Sequence, residues 1–314
     1  YMTTLIADSG STKTDWALVD DAGQILFTGK TQGINPFHLS NDDIWKILAE
    51  ELTLPEVPAR VFFYGSGVTE SMKPRMEHLL FQQFPQAEVH AESDLLGAAR
   101  ALLGRRSGIA CILGTGANSC LYDGEHILLN TPPLGYILGD EGSGAVLGKM
   151  FLNGIFKGAL PESLKQEYLS WSGLDYPSII NKVYRQPLAN RYLASIAPFI
   201  SMQMKRVEEA AASDNSCQHA EVLSQHTETL RLHAEALHQM VVEAFEQFYQ
   251  RNITPYLSSV DSSQNASSLS VAFVGSIAHY FEQPLRQVFE QHHHLTVSQI
   301  LKAPMKGLVS YHLH

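Results

Sequence analysis

The chain is expected to be an α/β protein of two lobes built on one plan. Three observations predict this. A strand, a tight turn of small residues and a second strand open the chain at residues 5–20. The same order restarts near Gly108, with a strand at 109–113, a turn at 114–118 and a strand at 119–122. Elsewhere strands alternate with amphipathic helices, the pattern of a mixed sheet covered by helices. The restart repeats an architecture rather than a sequence, and 314 residues suit two domains of ordinary size.

In order, residues 5–7 end a buried strand. An acid, a run of small residues with one lysine, and a strand at 16–20 follow. A turn made of Ser9, Gly10, Ser11, Thr12, Lys13 and Thr14 is a phosphate cradle in outline. Its small side chains admit backbone N–H groups to an anion, and its hydroxyls add donors. Asp8 at the strand end is placed to hold a hydrated magnesium ion, which takes few carboxylates besides the nucleotide's own phosphates. An ordinary hairpin with a polar turn accounts for the same residues. Residues 25–28 read as a third strand, joined through a turn at 21–23, and 32–36 as a loop. Ser40 caps a helix, with Asp43 three residues on and Ile44, Ile47, Leu48 and Leu52 along one face. Strands follow at 61–64, ending in Gly65-Ser66-Gly67, and at 87–90. Between them runs a helix carrying Met72, Met76, Leu79 and Leu80, and Asp94 opens a short helix to Leu103.

After the second strand–turn–strand unit comes a further strand at 126–129. The Gly-rich loop 135–144 then leads into a helix reaching Lys157. Residues 162–249 read as almost wholly helical. The longest helix, 219–249, carries Val222, Leu223, Leu230, Leu237, Val241, Phe245 and Phe248 at core spacing. The Ser-rich stretch 258–270 reads as a mobile surface loop. Residues 270–274 form a central strand ending in Gly275-Ser276. Pro284 suits the first turn of a helix through residue 291, and Pro304 that of a final short helix.

Composition narrows the function. Hydrophobic residues make up 45% of the chain, yet no run approaches the ~18 apolar residues of a membrane-spanning helix. The first residues lack the basic start of a secretory signal. A net charge of −10 argues against nucleic-acid and anionic-membrane partners. Three cysteines without a CxxC exclude a disulfide framework and a four-thiolate metal site, and fit a reducing, cytoplasmic setting. There is no GxxxxGK[ST], no GxGxxG in a strand–helix context, no HExxH and no GxSxG. His292, His293 and His294 cannot all face one ion from a regular element and read as solvated surface.

Several positions carry chemistry or a plainer structural role. Asp94, between a strand end and a helix, is either an N-cap or a base that takes a proton from a substrate hydroxyl during phosphoryl transfer. Gly114-Thr115-Gly116 is a hairpin turn or a second backbone cradle. Residues 139–144, three Gly and two acids in six positions, exceed what a helix start needs. The Asn35 amide suits a sugar hydroxyl or a turn. Gly275-Ser276 lets an adenine or ribose lie against backbone, or turns a strand into a helix.

Together these stretches resemble the sugar kinase/Hsp70/actin (ASKHA) superfamily of ATP-dependent proteins. More narrowly, the chain is similar to the N-acetylglucosamine kinase branch of the BadF/BadG/BcrA/BcrD-type ATPases. LIADSGSTKTD (5–15) resembles the family's first phosphate motif and ILGTGAN (112–118) the second. GYILGDEGSG (135–144) is the most specific match, and VAFVGS (271–276) resembles the adenosine motif. Their order and spacing agree over essentially the whole chain. The resemblance implies two ribonuclease-H-like lobes, 1–105 and 106–314, around an interlobe cleft. The second lobe would hold a helical insert, and the final helix would be free to return to the first.

The resemblance also implies a kinase that uses ATP and Mg2+ to phosphorylate an amino sugar, N-acetylglucosamine at its 6-hydroxyl foremost. Asp94 would be the base and Asp8 would orient the magnesium through water. Ser9, Gly10, Ser11, Thr12, Lys13 and Thr14 would hold phosphates, with Thr115 facing the γ-phosphate. Asn35, Asn118, Gly135 and Asp140 would hold sugar hydroxyls and the N-acetyl group, and Gly275 and Ser276 would border the nucleotide. Animal N-acetylglucosamine kinases carry a Trp before the glycine matching Gly135. Leu134 stands there here and offers less area to an acetyl methyl or sugar face, so glucosamine and N-acetylmuramic acid stay open as acceptors.

Other members of this fold activate acyl-CoA dehydratases through an iron–sulfur cluster shared across a dimer. Cys111 and Cys120, on neighbouring expected strands, do not suit one. A sugar sensor without turnover would need neither Asp8 nor Asp94. The helix at 219–249 offers surface for a homodimer, which the resemblance favours. The expected partner is a small amino sugar, with neither nucleic acid nor membrane.

Overall fold

The structure, a computed structural model, describes residues 2–213, 220–259 and 268–313. Most of the Ser-rich stretch and the side chains of Val222 and Leu223 lie outside the described residues. Two five-stranded sheets share one topology. The first comprises β1 (Thr4–Ser9), β2 (Lys13–Val19), β3 (Ile25–Gln32), β4 (Arg60–Gly65) and β5 (Glu88–Ser93), in the order β3-β2-β1-β4-β5. The second comprises β6 (Gly108–Leu113), β7 (Ala117–Tyr122), β8 (Ile127–Leu129), β9 (Leu269–Val274) and β10 (Leu295–Leu301), in the order β10-β9-β6-β7-β8. In both, the first three strands pair antiparallel and the last two add in parallel. The repeat seen in the sequence is therefore a repeat of topology, and the fold is the two-lobed actin-like ATPase arrangement.

Strand β10 has no counterpart in the sequence reading. Its ladder to β9 shifts register between Val297 and Gln299, and this irregularity breaks the two-residue alternation that marks a strand.

In the first lobe, α1 (Asn41–Lys46) starts with a complete capping box. Ser40 accepts from the Asp43 N–H, and the Asp43 carboxylate accepts from the Ser40 N–H. A π-helical turn, Ile47–Glu51, continues its apolar face. The helices α2 (Lys73–Gln83) and α3 (Asp94–Leu103) follow. The second lobe carries α4 (Gly135–Leu138) and α5 (Gly144–Lys157). Its helical insert holds α6 (Glu162–Ser172), α7 (Tyr176–Tyr184), α8 (Ala189–Ala194), α9 (Ala197–Ser213), α10 (Ala220–Phe248) and α11 (Thr254–Leu257). The chain closes with α12 (Ser276–Tyr280), α13 (Glu282–Glu290) and α14 (Met305–Leu313). Leu230, Leu237, Val241, Phe245 and Phe248 of α10 are buried as their spacing requires, and all but Leu230 join the core formed with Phe151, Phe199 and Phe273. Among the described residues no helix is long and apolar enough to cross a membrane.

Strand alternation decides what each face of the first sheet meets. Leu5, Ala7, Trp16, Leu18, Val61 and Phe63 share one core with α1 and α2. Ile6, Val19 and Tyr64, one residue out of step, face Ala101 of α3 and Leu308 and Val309 of α14. Helix α3 also packs on the second sheet, through Leu95, Ala98, Ala99 and Leu102 against Ala110, Tyr122 and Val274. It thus lies between the sheets. Gly97 makes the approach possible, since a Cβ there would stand 2.9 Å from Tyr64. The final helix α14 returns to the first lobe, where Tyr64 Oη and His312 Nε2 are 2.8 Å apart. Burial, then the charges of Arg100 and Arg60, push the His312 pKa down to about 3.

Candidate active site

The turn between β1 and β2 is held from below. Ser9 Oγ donates to the Ile34 carbonyl and accepts from the Ile34 N–H, at 3.0 and 2.9 Å. It also meets Thr14 Oγ1 at 2.7 Å, and Thr14 donates to the Gln32 carbonyl. Both residues are fully buried. This corrects the expectation that their side chains hold phosphate. Ser9 and Thr14 are ladder partners on the Leu5/Trp16 face, so their hydroxyls point into the first core. Lys13 Nζ pairs with Asp15 Oδ2 at 2.7 Å in an exposed ion pair. The Gly10 N–H donates to the Lys13 carbonyl at 3.0 Å, so the N–H groups and exposed hydroxyls of Ser11 and Thr12 remain for an anion.

Asp8 follows Ile6 on the other face, the one covered by α3, and Asp94 is the first residue of α3. Ser93, not Asp94, caps that helix: its Oγ accepts from the Leu96 N–H at 3.2 Å. The capping alternative for Asp94 therefore falls. Burial raises the Asp94 pKa to about 6, against weaker opposing bonds from the Leu95 and Asp94 N–H groups. Burial, then the charges of Asp94 and Asp15, raise Asp8 to about 7, and Lys13 pulls the other way. Asp15, directly opposite Asp8 in the β1–β2 ladder, is a member of this acidic site that sequence reasoning passed over. Its alternation with the buried Trp16 was the available signal. Among the described residues no three His, Cys, Asp or Glu side chains are grouped to hold a metal ion.

The second small-residue turn, Gly114 to Gly116, is fixed by the start of α5. The N–H groups of Gly144 and Ala145 donate to the carbonyls of Gly114 and Thr115 at 2.8 and 3.1 Å. Buried Ser143 caps the same helix through the Val146 N–H. Asp140, at φ 54°, turns its Oδ1 back to accept from the Ala117 N–H at 3.2 Å and so ties residues 139–144 to this turn. Burial raises its pKa. At the end of β9, Gly275 has φ 130°, and a Cβ there would lie 2.1 Å from the Leu113 carbonyl oxygen, so only glycine fits. Thr12, Thr115 and Ser276 line one cavity of about 320 Å³ that opens between the two small-residue turns. The structure thus brings the first turn, the second turn and the β9 corner together.

The expected sugar contacts are less converged. Asn35 Oδ1 accepts from the Phe37 N–H at 2.9 Å, which leaves its NH2 for a ligand. Asn118 Oδ1 accepts from Asn130 Nδ2 and from the Ser119 N–H. Gly135, at φ 73°, starts the exposed turn α4, where Leu134, Ile137 and Leu138 are 61%, 74% and 75% exposed. No hydrogen bond among the described residues joins Asn35, Asn118 and Gly135.

Three further groups complete the picture. Arg191 of α8 reaches across from the helical insert and donates through Nη2 to the Ser11 carbonyl. No sequence motif announces it. Cys111 and Cys120 are both buried, in different cores, and burial pushes both thiols up, which suits neither for a shared cluster. His292 is not simply solvated: it stacks on Tyr249 with ring centroids 3.7 Å apart.

No protein-family model matches the chain, and no curated protein matches it. Solved structures do. A protein from Porphyromonas gingivalis, named as a candidate N-acetylglucosamine kinase, is 38% identical over 99% of this chain and 98% of its own, with a TM-score of 0.83. A second candidate N-acetylglucosamine kinase, from Chromobacterium violaceum, is 21% identical, with a TM-score of 0.64 over 100% of this chain and 99% of its own. A candidate sugar kinase from Cytophaga hutchinsonii is 15% identical, with a TM-score of 0.50 over 98% of each chain. The last two share the fold.

Proposed function

Because the chain belongs to the sugar kinases of the two-lobed actin-like ATPase fold, we propose that it transfers the γ-phosphoryl group of ATP to the 6-hydroxyl of an amino sugar, N-acetylglucosamine first among the acceptors. The observation that carries this is the pair Asp8 and Asp94. Two carboxylates of raised pKa stand at the ends of β1 and β5, one residue before and one after a strand-end serine, and Thr12, in the turn that Asp8 precedes, lines the cavity between both small-residue turns.

Asp94 is the base. With a pKa near 6 it is ionised at neutral pH and still basic enough to take the hydroxyl proton. The sugar oxygen then bonds to the γ-phosphorus, the bond to the β,γ-bridging oxygen breaks, and ADP leaves with that electron pair. The backbone N–H groups of Ser11 and Thr12 and of Thr115 and Gly116 hold the phosphates, since those of Gly10 and Gly114 donate within their own turns, and Gly275 and Ser276 border the nucleoside. The Asn35 amide, Asn118, Gly135 and Asp140 face the sugar. Asp8 offers the single hard oxygen donor that magnesium accepts alongside nucleotide phosphates, so the donor set fits that ion. Magnesium bound there would neutralise charge on the phosphates. Catalysis is then mainly positioning and charge neutralisation.

The named acceptor of two similar structures supports N-acetylglucosamine. Exposed Leu134, in place of an indole, keeps glucosamine and N-acetylmuramic acid as alternatives. The test is ADP release with ATP and magnesium against N-acetylglucosamine, glucosamine, N-acetylmannosamine, N-acetylmuramic acid, glucose and no sugar. Release that depends on an amino sugar and vanishes in Asp94→Asn supports the proposal. Release indifferent to every sugar overturns it in favour of an activator-type ATPase.

A further inference from the structure

Resting on the nucleotide site proposed above, we infer that Arg191 is a direct ligand of the nucleotide's terminal phosphates, by which the second lobe grips the phosphate-binding turn of the first. Among the described residues, the cavity between the turns has one charged lining side chain, and it is Arg191. In a chain of net charge −10, a cation at this point favours a polyphosphate. Lys13, the cation within the first turn, is 58% exposed and committed to Asp15.

The guanidinium is incompletely satisfied as it stands. Nη2 donates to the neutral carbonyl of Ser11, whereas Nε is out of contact with solvent and has no acceptor. A phosphate oxygen makes a shorter, charge-assisted bond than a carbonyl, and a guanidinium fork suits two such oxygens at once. A phosphate in the cavity would therefore offer the Nη2 group a charged acceptor in place of the neutral Ser11 carbonyl.

The position of Arg191 is set by the element that sets the second turn. Helix α8 is pressed onto α5 at two glycines. A Cβ on Gly148 would stand 2.0 Å from the Leu193 carbonyl oxygen, and one on Gly144 would stand 3.1 Å from Ala194 Cβ. The Gly144 N–H is the donor that fixes Gly114. Arg191 and Thr115 are thus carried by one rigid unit, and the bond from Arg191 to Ser11 spans the lobes.

The test is calorimetric titration of wild type, Arg191→Met and Arg191→Lys with adenosine, Mg·ADP and Mg·AMPPNP. The Met variant is expected to lose roughly 10- to 100-fold in affinity for ADP and AMPPNP and to keep its affinity for adenosine. The Lys variant, with the charge but not the fork, should fall between. Wild-type affinities for all three ligands in both variants would overturn the role of Arg191 while leaving the nucleotide site standing. A wild-type protein that binds none of them would overturn the site itself. If the Met variant does not fold, the Lys variant decides: a selective loss for AMPPNP over adenosine supports the inference, and parallel affinities overturn it.

Discussion

Asp8 and Asp94 stand close enough for the Asp94 charge to add to burial in raising the Asp8 pKa. Burial lifts Asp94 to about 6, and burial together with the charges of Asp94 and Asp15 lifts Asp8 to about 7. Both carboxyls are thus held above the ordinary carboxylate range. The pair therefore loses its protons in two steps. Raised values suit both proposed roles, since a base must be able to take a proton and a buried acid gains from a cation.

Stability should report this pair. Both folded-state values stand above the ordinary 3.8, so both groups favour the folded state when protonated. That contribution is complete below 3.8 and is lost as the pH rises through 6 and then 7. Asp8→Asn and Asp94→Asn are expected to raise Tm relative to wild type at pH 8, with the margin shrinking towards pH 4. Thermal unfolding across this range checks it; a constant margin would mean that the carboxylates are solvated.

Turnover should depend on Asp94 in the opposite sense. Asp94→Asn is expected to cut kcat by about 10²- to 10⁴-fold with nucleotide affinity nearly intact. In wild type, kcat should rise with pH through about 6 as the base ionises. A pH–rate profile of both proteins tests this, and comparable turnover would remove Asp94 from the mechanism.

Asp8→Asn is expected to shift the magnesium requirement to higher concentration while adenosine binding stays unchanged. A magnesium titration of initial rate is the measurement. An unaltered titration curve would take the metal role away from Asp8.

Gly275→Ala is expected to cost on the order of 3 kcal/mol or more, because a Cβ would meet the Leu113 carbonyl at 2.1 Å from a backbone at φ 130°. Gly114→Ala, where a Cβ meets nothing within 4 Å, should leave stability nearly unchanged. Chemical denaturation of the two variants gives the contrast directly.

Asp140 separates loop architecture from sugar binding. Asn keeps an acceptor for the Ala117 N–H and tolerates φ 54°, whereas Ala does neither. Asp140→Ala should lose about 1–3 kcal/mol. Asp140→Asn should hold Tm and raise the sugar KM. An unaltered KM in the Asn variant would leave the carboxylate a purely structural tie.

Much of the site was legible because it is written locally. The strands, the small-residue turns and the Ser40–Asp43 box each need only neighbouring residues and all appear, although β3 runs to Gln32, and β2 starts at Lys13 and β7 at Ala117, which shortens both turns. The glycine at 275 was legible as a strand-to-helix corner, and the Leu113 carbonyl beneath it explains why nothing larger stands there. Strand β10 was hidden by its own bulge, and the return of α14 to the first lobe by the absence of any local mark of a distant partner.

By itself, then, the sequence determined the elements other than β10, their repetition and the candidate loops, because hydrophobic period and turn chemistry act over a few residues. Tertiary structure decided which groups in those loops face a ligand. Ser9, Ser11, Thr12 and Thr14 look alike as hydroxyls, but the pleat turns Ser9 and Thr14 into the core and leaves Ser11 and Thr12 outside. It also set Asp8 on the face of α3, next to Asp94, and brought Arg191 to Ser11 from 180 residues away. Alternation is a local rule, but which face is buried, and by what, depends on packing between segments that no local pattern connects.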